Sequence, residues 1–165
     1  MPVTPSDMDE RNNKVMDRLR ALCSRREYCT RDIMKKALDA LDGDKDSARE
    51  VVEKLVKDRY VDDLRYSSAF ARDKSSIQGW GAVKIRYALS AKGIQSDVIA
   101  QALEEIDQER STERLDKLLQ AKVKALKDDP QRRLKLLRFA LGRGYSYEEV
   151  DAALARIAIN NDILT

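Results

Sequence analysis

A five-residue pattern returns three times along this chain of 165 residues. MKKAL at Met34–Leu38, IRYAL at Ile85–Leu89 and LRFAL at Leu137–Leu141 share apolar, basic, variable, Ala and Leu positions, at offsets of 51 and 52 residues. Further along, Gly93-Ile94 matches Gly144-Tyr145, and Ile99, Ala102, Leu103 and Ile106 match Val150, Ala153, Leu154 and Ile157. The first copy joins this second block only through Val51 and Leu55. Chance likeness among amphipathic helices would reproduce the Ala and Leu positions but not the glycines. The repeat therefore predicts units of about fifty residues, each burying its apolar face on its own helices and on its neighbours.

Each unit reads as three helices. Apolar residues recur at helical spacing in Val15, Leu19 and Leu22; in Ile33, Ala37, Leu38 and Leu41 after Thr30 as N-cap; and in Ala48, Val51, Val52 and Leu55. Leu64, Tyr66, Phe70 and Ala71 mark a fourth helix, Val83 with Tyr87 and Ile85 with Leu89 a fifth, and Ile99 to Ile106 a sixth. A longer seventh, Leu115 to Leu126, stops before Asp129-Pro130, where aspartate can cap and proline can open the next helix. Leu134, Leu137 and Leu141 form the eighth, and the Ser146/Glu149 capping box starts the ninth. With six glycines and three prolines in the whole chain, the expectation is all-α: an elongated array of three tandem three-helix repeats. The expected boundaries are a flexible N-terminus over 1–9, repeats over 10–60, 61–108 and 109–158, and a C-terminal tail over 159–165.

Gly93 and Gly144 fall where helices should end, as left-handed C′ residues. Gly79-Trp80-Gly81 surrounds the only tryptophan at a junction inside the second unit, with core packing the expected role of the ring and an exposed partner-binding aromatic the alternative. Asp62 and Asp63, between Tyr60-Val61 and an amphipathic segment, raise the question of a metal site. No third nearby acid precedes Asp73, so the pair reads as the start of a helix, one carboxylate capping and both complementing the positive helix end.

A chain without histidine lacks the commonest general base and zinc ligand, and no phosphate-cradling glycine loop or paired nucleophile and base is present. No enzyme, cofactor or metal is expected. Cys23 and Cys29 make neither a disulfide framework nor a zinc knuckle and suit a reducing compartment. The polar N-terminus lacks the apolar core of a leader, and no apolar run approaches a membrane span; a cytoplasmic location is expected.

Tyr60-Val61-Asp62-Asp63-Leu64-Arg65-Tyr66, then Gly79-Trp80-Gly81, Lys84-Ile85-Arg86-Tyr87-Ala88-Leu89 and Lys92-Gly93-Ile94, resemble the signature of the RecX family. The resemblance is densest over residues 60–107. It implies an array of three three-helix repeats and a regulator that binds and usually inhibits the RecA recombinase. The expected partners are RecA and its nucleoprotein filament, with at most weak direct DNA contact and no membrane, and the protein is expected to be monomeric. In such a filament the array would impede strand exchange, ATP hydrolysis and SOS coprotease activity. Arg59 stands where the family often has glycine, Ala82 where it often has proline, and the stretch from Asp73 to Gln78 is less basic than in many members.

Charge suggests where a partner would sit. The net charge is only +3, yet from Arg114 to Arg143 ten basic residues face three acids, and no acid lies between Pro130 and Tyr147. Arg132, Arg133, Lys135, Arg138 and Arg143, with Lys84, Arg86 and Lys92 of the second unit, are the candidate contacts for a filament or for DNA. A solvated helix face is the competing reading. A helical nucleic-acid-binding module is the alternative function, against which the nine aromatic residues argue, being few for base stacking.

Overall fold

The computed structural model describes residues 2–161, and every regular element among them is an α-helix. In chain order these are α1 (Pro5–Arg25), α2 (Thr30–Ala40), α3 (Lys45–Lys57), α4 (Asp63–Ser76), α5 (Ala82–Ala91), α6 (Ser96–Glu104), α7 (Gln108–Ala125), α8 (Arg132–Gly142) and α9 (Tyr147–Asn161). α1 reaches back into the segment expected to be a flexible tail, because Thr4 and Asp7 form a capping box around Pro5. Of the tail expected over 159–165, residues 159–161 continue α9 and the remainder lies outside the described residues.

Three apolar clusters follow the chain in order. The first joins Val15 and Leu19 of α1, Ile33, Ala37 and Leu41 of the second helix, Ala48 to Leu55 of α3, and Val61. The second holds Ala71, Ile85, Leu89, Ile94, Ile99, Leu103 and Ile106; the third holds Leu115, Leu119, Val123, Leu136, Ala140, Tyr145, Val150, Ala153, Leu154 and Ile157. The extensive helix packing accordingly stays within the triplets α1–α3, α4–α6 and α7–α9. This is an all-α array of tandem three-helix repeats. Its accessible surface is 10732 Å², against roughly 8300 Å² for a compact globule of this mass. Stacking small units in a row leaves that excess exposed.

Some faces differ from the expected ones. α8 buries Leu136 and Ala140, whereas Leu134 and Leu141 are 42% and 40% exposed. Leucines surround this short helix, so more than one stripe satisfies the period, and its end at Gly144-Tyr145 selects the one in line. On α5, Ile85 and Leu89 are buried while Val83 and Tyr87 face outward. α4 buries Ser67, Ser68, Ala71 and Ser75, a small-residue face that brings it close to α6. Two N-termini also shift: Cys29, not Thr30, is the N-cap of α2, and α8 starts after Gln131, whose N–H bonds Asp129 at 2.8 Å.

The middle helices α2, α5 and α8 end alike. Asp42, Gly93 and Gly144, each 51 residues after the last, have φ of 53°, 77° and 95°. The N–H that follows each bonds a carbonyl one turn back, in Gly43 to Leu38, Ile94 to Leu89 and Tyr145 to Ala140. The unit junctions are built on these ends. Gly81 N–H bonds the Arg143 carbonyl at 2.8 Å and Val83 N–H the Gly144 carbonyl at 2.9 Å. The unpaired donors opening α5 thus meet the unpaired acceptors closing α8, dipoles head to tail. Only glycines allow this: a Cβ on Gly81 would lie 2.3 Å from the Gly144 oxygen, and one on Gly144 would lie 2.2 Å from Lys84 Cβ.

The other junction uses side chains. Arg31 Nη1 donates to the Ala91 carbonyl at 2.9 Å, closing the end of α5 from the start of α2. Asp63 accepts from Thr30 N–H at 2.8 Å and from Thr30 Oγ1 at 3.0 Å. Asp62 meanwhile caps α4, accepting from Arg65 N–H at 3.0 Å. The two neighbouring carboxylates therefore cap two different helices, one in each unit. Buried Cys29, the N-cap of α2, belongs to the second unit's core and completes the seam.

Candidate partner surface

The junction chemistry claims several cations that the sequence offers as contacts. Lys92 forms an ion pair with Asp32 at 3.0 Å across the first junction. The Asp32 hydrogen bond raises Lys92 above its ordinary value against partial burial. Burial pushes Asp32 upward, but hydrogen bonds from Lys92 and Cys29 hold it below 3.8. Lys84 lies half-buried at the second junction, its Nζ 4.3 Å from the centroid of the Trp80 ring. Lys74 approaches the same ring at 4.7 Å. Trp80 also meets Phe70 edge to face at 6.3 Å, and Phe70 stacks on Tyr66 at 6.0 Å, so the ring is partly buried against the second core.

In the third unit Arg132 donates to the Lys127 carbonyl at 3.2 Å and Arg133 pairs with Asp151 at 3.0 Å. Lys135 pairs with Asp129, and that contact first, then the Gln131 N–H, holds the Asp129 carboxyl low. Arg143 Nη1 donates to the Gln78 carbonyl at 3.3 Å, and its guanidinium lies 5.4 Å from the Phe139 ring. Arg86 on α5 and Arg138 on α8 are exposed and form no ion pair among the described residues. At 100° per residue the five α8-region cations spread around most of the helix rather than forming one row. Arg86, Arg138 and the exposed Tyr87, Leu134 and Leu141 give the middle helices a mixed basic and apolar outer face.

Tyr60 is partly buried, with Arg20 5.5 Å from its ring centroid. Position 59 has φ of 63°, a left-handed helix end that explains why glycine would suit it. A second basic surface lies on α7, where Arg114 and Lys117, with Arg143, line a groove against the end of α4. In the sequence Arg114 and Lys117 fall within the basic stretch but not among the candidate contacts, unlike Arg143. The signal is present in the i, i+3, i+7 spacing of Arg114, Lys117 and Ala121, but only the fold puts Ile77 and Arg143 opposite.

No helix among the described residues is long and apolar enough to cross a membrane. Residues 62–103 match the family description "RecX, second three-helix domain" and residues 108–154 match "RecX, third three-helix domain", together more than half of the chain. A "Regulatory protein RecX" of Clostridium botulinum is 37% identical over 109 residues, covering 64% of this chain and 50% of that protein. One from Bacillus mycoides is 31% identical over 115 residues, covering 68% and 43%. The matched stretch thus spans about half the length of these curated relatives, or less. The crystal structure of RecX from Lactobacillus salivarius superposes with a TM-score of 0.83 at 20% identity, over 92% of this chain and 99% of that one. A second solved structure, of a regulatory protein RecX, gives 0.80 at 23% identity over 90% and 73%. Two consecutive domains matched in order, on a backbone that follows solved relatives nearly end to end, lead to one assignment: this chain belongs to the RecX family.

Proposed function

We propose that this chain binds the RecA recombinase or its nucleoprotein filament in the cytoplasm, and modulates strand exchange, ATP hydrolysis and SOS coprotease activity without chemistry of its own. The observation that carries this reading is the family membership, whose curated members are named regulatory proteins. A row of three small units offers a long, narrow contact surface suited to spanning several protomers of a helical filament. Arg86 and Arg138 are the proposed primary contacts, being exposed cations with no carboxylate to release. Arg132, Arg133 and Lys135 would exchange intramolecular partners on binding, whereas Lys84, Lys92 and Arg143 act through the junctions.

Fluorescence anisotropy with labelled single-stranded DNA, with and without RecA and a slowly hydrolysed nucleotide, tests the proposal. Tight binding to the filament and weak binding to bare DNA at the same ionic strength is the expected result. Glutamate at Arg86 and Arg138 should weaken filament binding at least tenfold, and extending the change to Arg132, Arg133 and Lys135 should weaken it further. RecA-independent binding with a log–log salt slope of about −0.7 per phosphate contact would instead mark a nucleic-acid module.

A further inference from the structure

The groove between the C-terminal end of α4 and the middle of α7 is not explained by the helix array alone. Its volume is about 410 Å³, and it is lined by Ile77, Gln78 and Gly79 at the end of α4, by Arg114, Lys117, Leu118 and Ala121 of α7, and by Arg143. That size accommodates a few side chains of a ligand. Three cations border it and no carboxylate does. None of the three forms an ion pair among the described residues, although 11 ion pairs occur elsewhere among them. Ile77, at the C-cap of α4, is 78% exposed at its lip.

The walls are fixed before anything binds. Arg114 Nη2 donates to Ser75 Oγ at 2.6 Å, Arg143 Nη1 to the Gln78 carbonyl at 3.3 Å, and the buried Tyr145 hydroxyl to the Gly79 carbonyl at 3.0 Å. Arg114 Nε is also buried without a partner. A site held open in this way loses little conformational entropy on binding. Its apolar lining decides the class of ligand. A nucleic-acid strand would be expected to stack its bases on aromatic rings, and this groove has none, offering Ile77, Leu118 and Ala121 instead.

We propose that this groove docks an acidic peptide segment of a partner protein, an apolar side chain seated against Ile77, Leu118 and Ala121 and carboxylates meeting Arg114, Lys117 and Arg143. The site bridges the second and third units, so an occupant would also tie them together. The proposal goes beyond the RecA reading, and its test uses no RecA.

Phage-displayed random dodecapeptides are panned on the full chain and counter-selected on Lys117→Glu and Ile77→Asp. Both residues are exposed, so these variants should keep the fold, as circular dichroism would verify. Groove-dependent clones should be enriched in aspartate and glutamate and carry at least one large apolar residue. As labelled peptides they should bind at least tenfold more weakly to either variant. A labelled oligodeoxythymidylate should bind weakly and equally to all three proteins. The proposal is overturned if no groove-dependent clone emerges, if such clones show no acidic excess, or if the variants bind them as well as the parent. It is also overturned if the oligodeoxythymidylate binds the parent tightly and loses tenfold on Lys117→Glu, which would make the groove a nucleic-acid site.

Discussion

Gly142 and Gly144 lie two residues apart and should answer the same substitution in opposite ways. Gly142 sits in the last turn of α8 with nothing within 4 Å of an added Cβ, so Gly142→Ala should stabilise by about 0.5–1 kcal/mol in urea unfolding. At Gly144 the φ of 95° and the contact with Lys84 act together, and at Gly81 the obstacle is backbone. Alanine at either should cost about 1–3 kcal/mol and expose the α5–α8 junction to hydrogen exchange. Arg59 is the converse case: its left-handed φ makes Arg59→Gly stabilising by about 1 kcal/mol, and an unchanged urea midpoint would refute that. Glycine in these roles is legible in a sequence, because glycine is what the conformation prefers. Asp42 and Arg59 occupy the same backbone state with ordinary side chains, and nothing in their identity announces it.

Seven of the nine helix starts among the described residues either cap themselves or are capped from elsewhere, and those of α6 and α8 have no side-chain cap. Thr4 with Asp7, Asp44, Asp62, Asp107 and Ser146 with Glu149 are local, and the spacing of a polar residue before an apolar run reveals most of them. α2 and α5 have no side-chain cap of their own and rely on Asp63 and on the end of α8. No local pattern can show that, which is why Thr30 read as a cap and Asp63 as belonging to its own helix. Asp62→Ala and Asp63→Ala should each cost about 1 kcal/mol, but only the second should raise hydrogen exchange at the start of α2. The same caps set the acid limit. Asp44 is held below its ordinary 3.8 by hydrogen bonds from Ser47 and by Arg11, and Asp7 by Thr4. Their folded values lie below their unfolded ones, so the stability they confer is complete above the unfolded value and is lost as pH falls through the folded one. The melting temperature should therefore drop below about pH 4, and Asp44→Asn should flatten that drop. α4 was the least legible element because its buried face is serine, which leaves no apolar period to read.

At the scale of the whole molecule, the repeat and its three-helix units were legible because cores of small units must recur with the units. The docking of one unit on the next was not, since it runs through backbone groups and single side chains. The array should give a radius of gyration in small-angle scattering clearly above the roughly 15 Å of a compact chain of this length. A value at that figure would contradict it. Sedimentation should show a monomer at all accessible concentrations, and the left-handed end of α2 gives the reason. Within the chain, α8 is received at a glycine whose missing side chain lets the neighbouring helix abut it. The outer end of the first unit presents Asp42 at the corresponding position, a carboxylate where a newcomer would need empty space. A second copy docking end to end through that same backbone contact would therefore meet the Asp42 side chain where the inner junctions offer bare backbone.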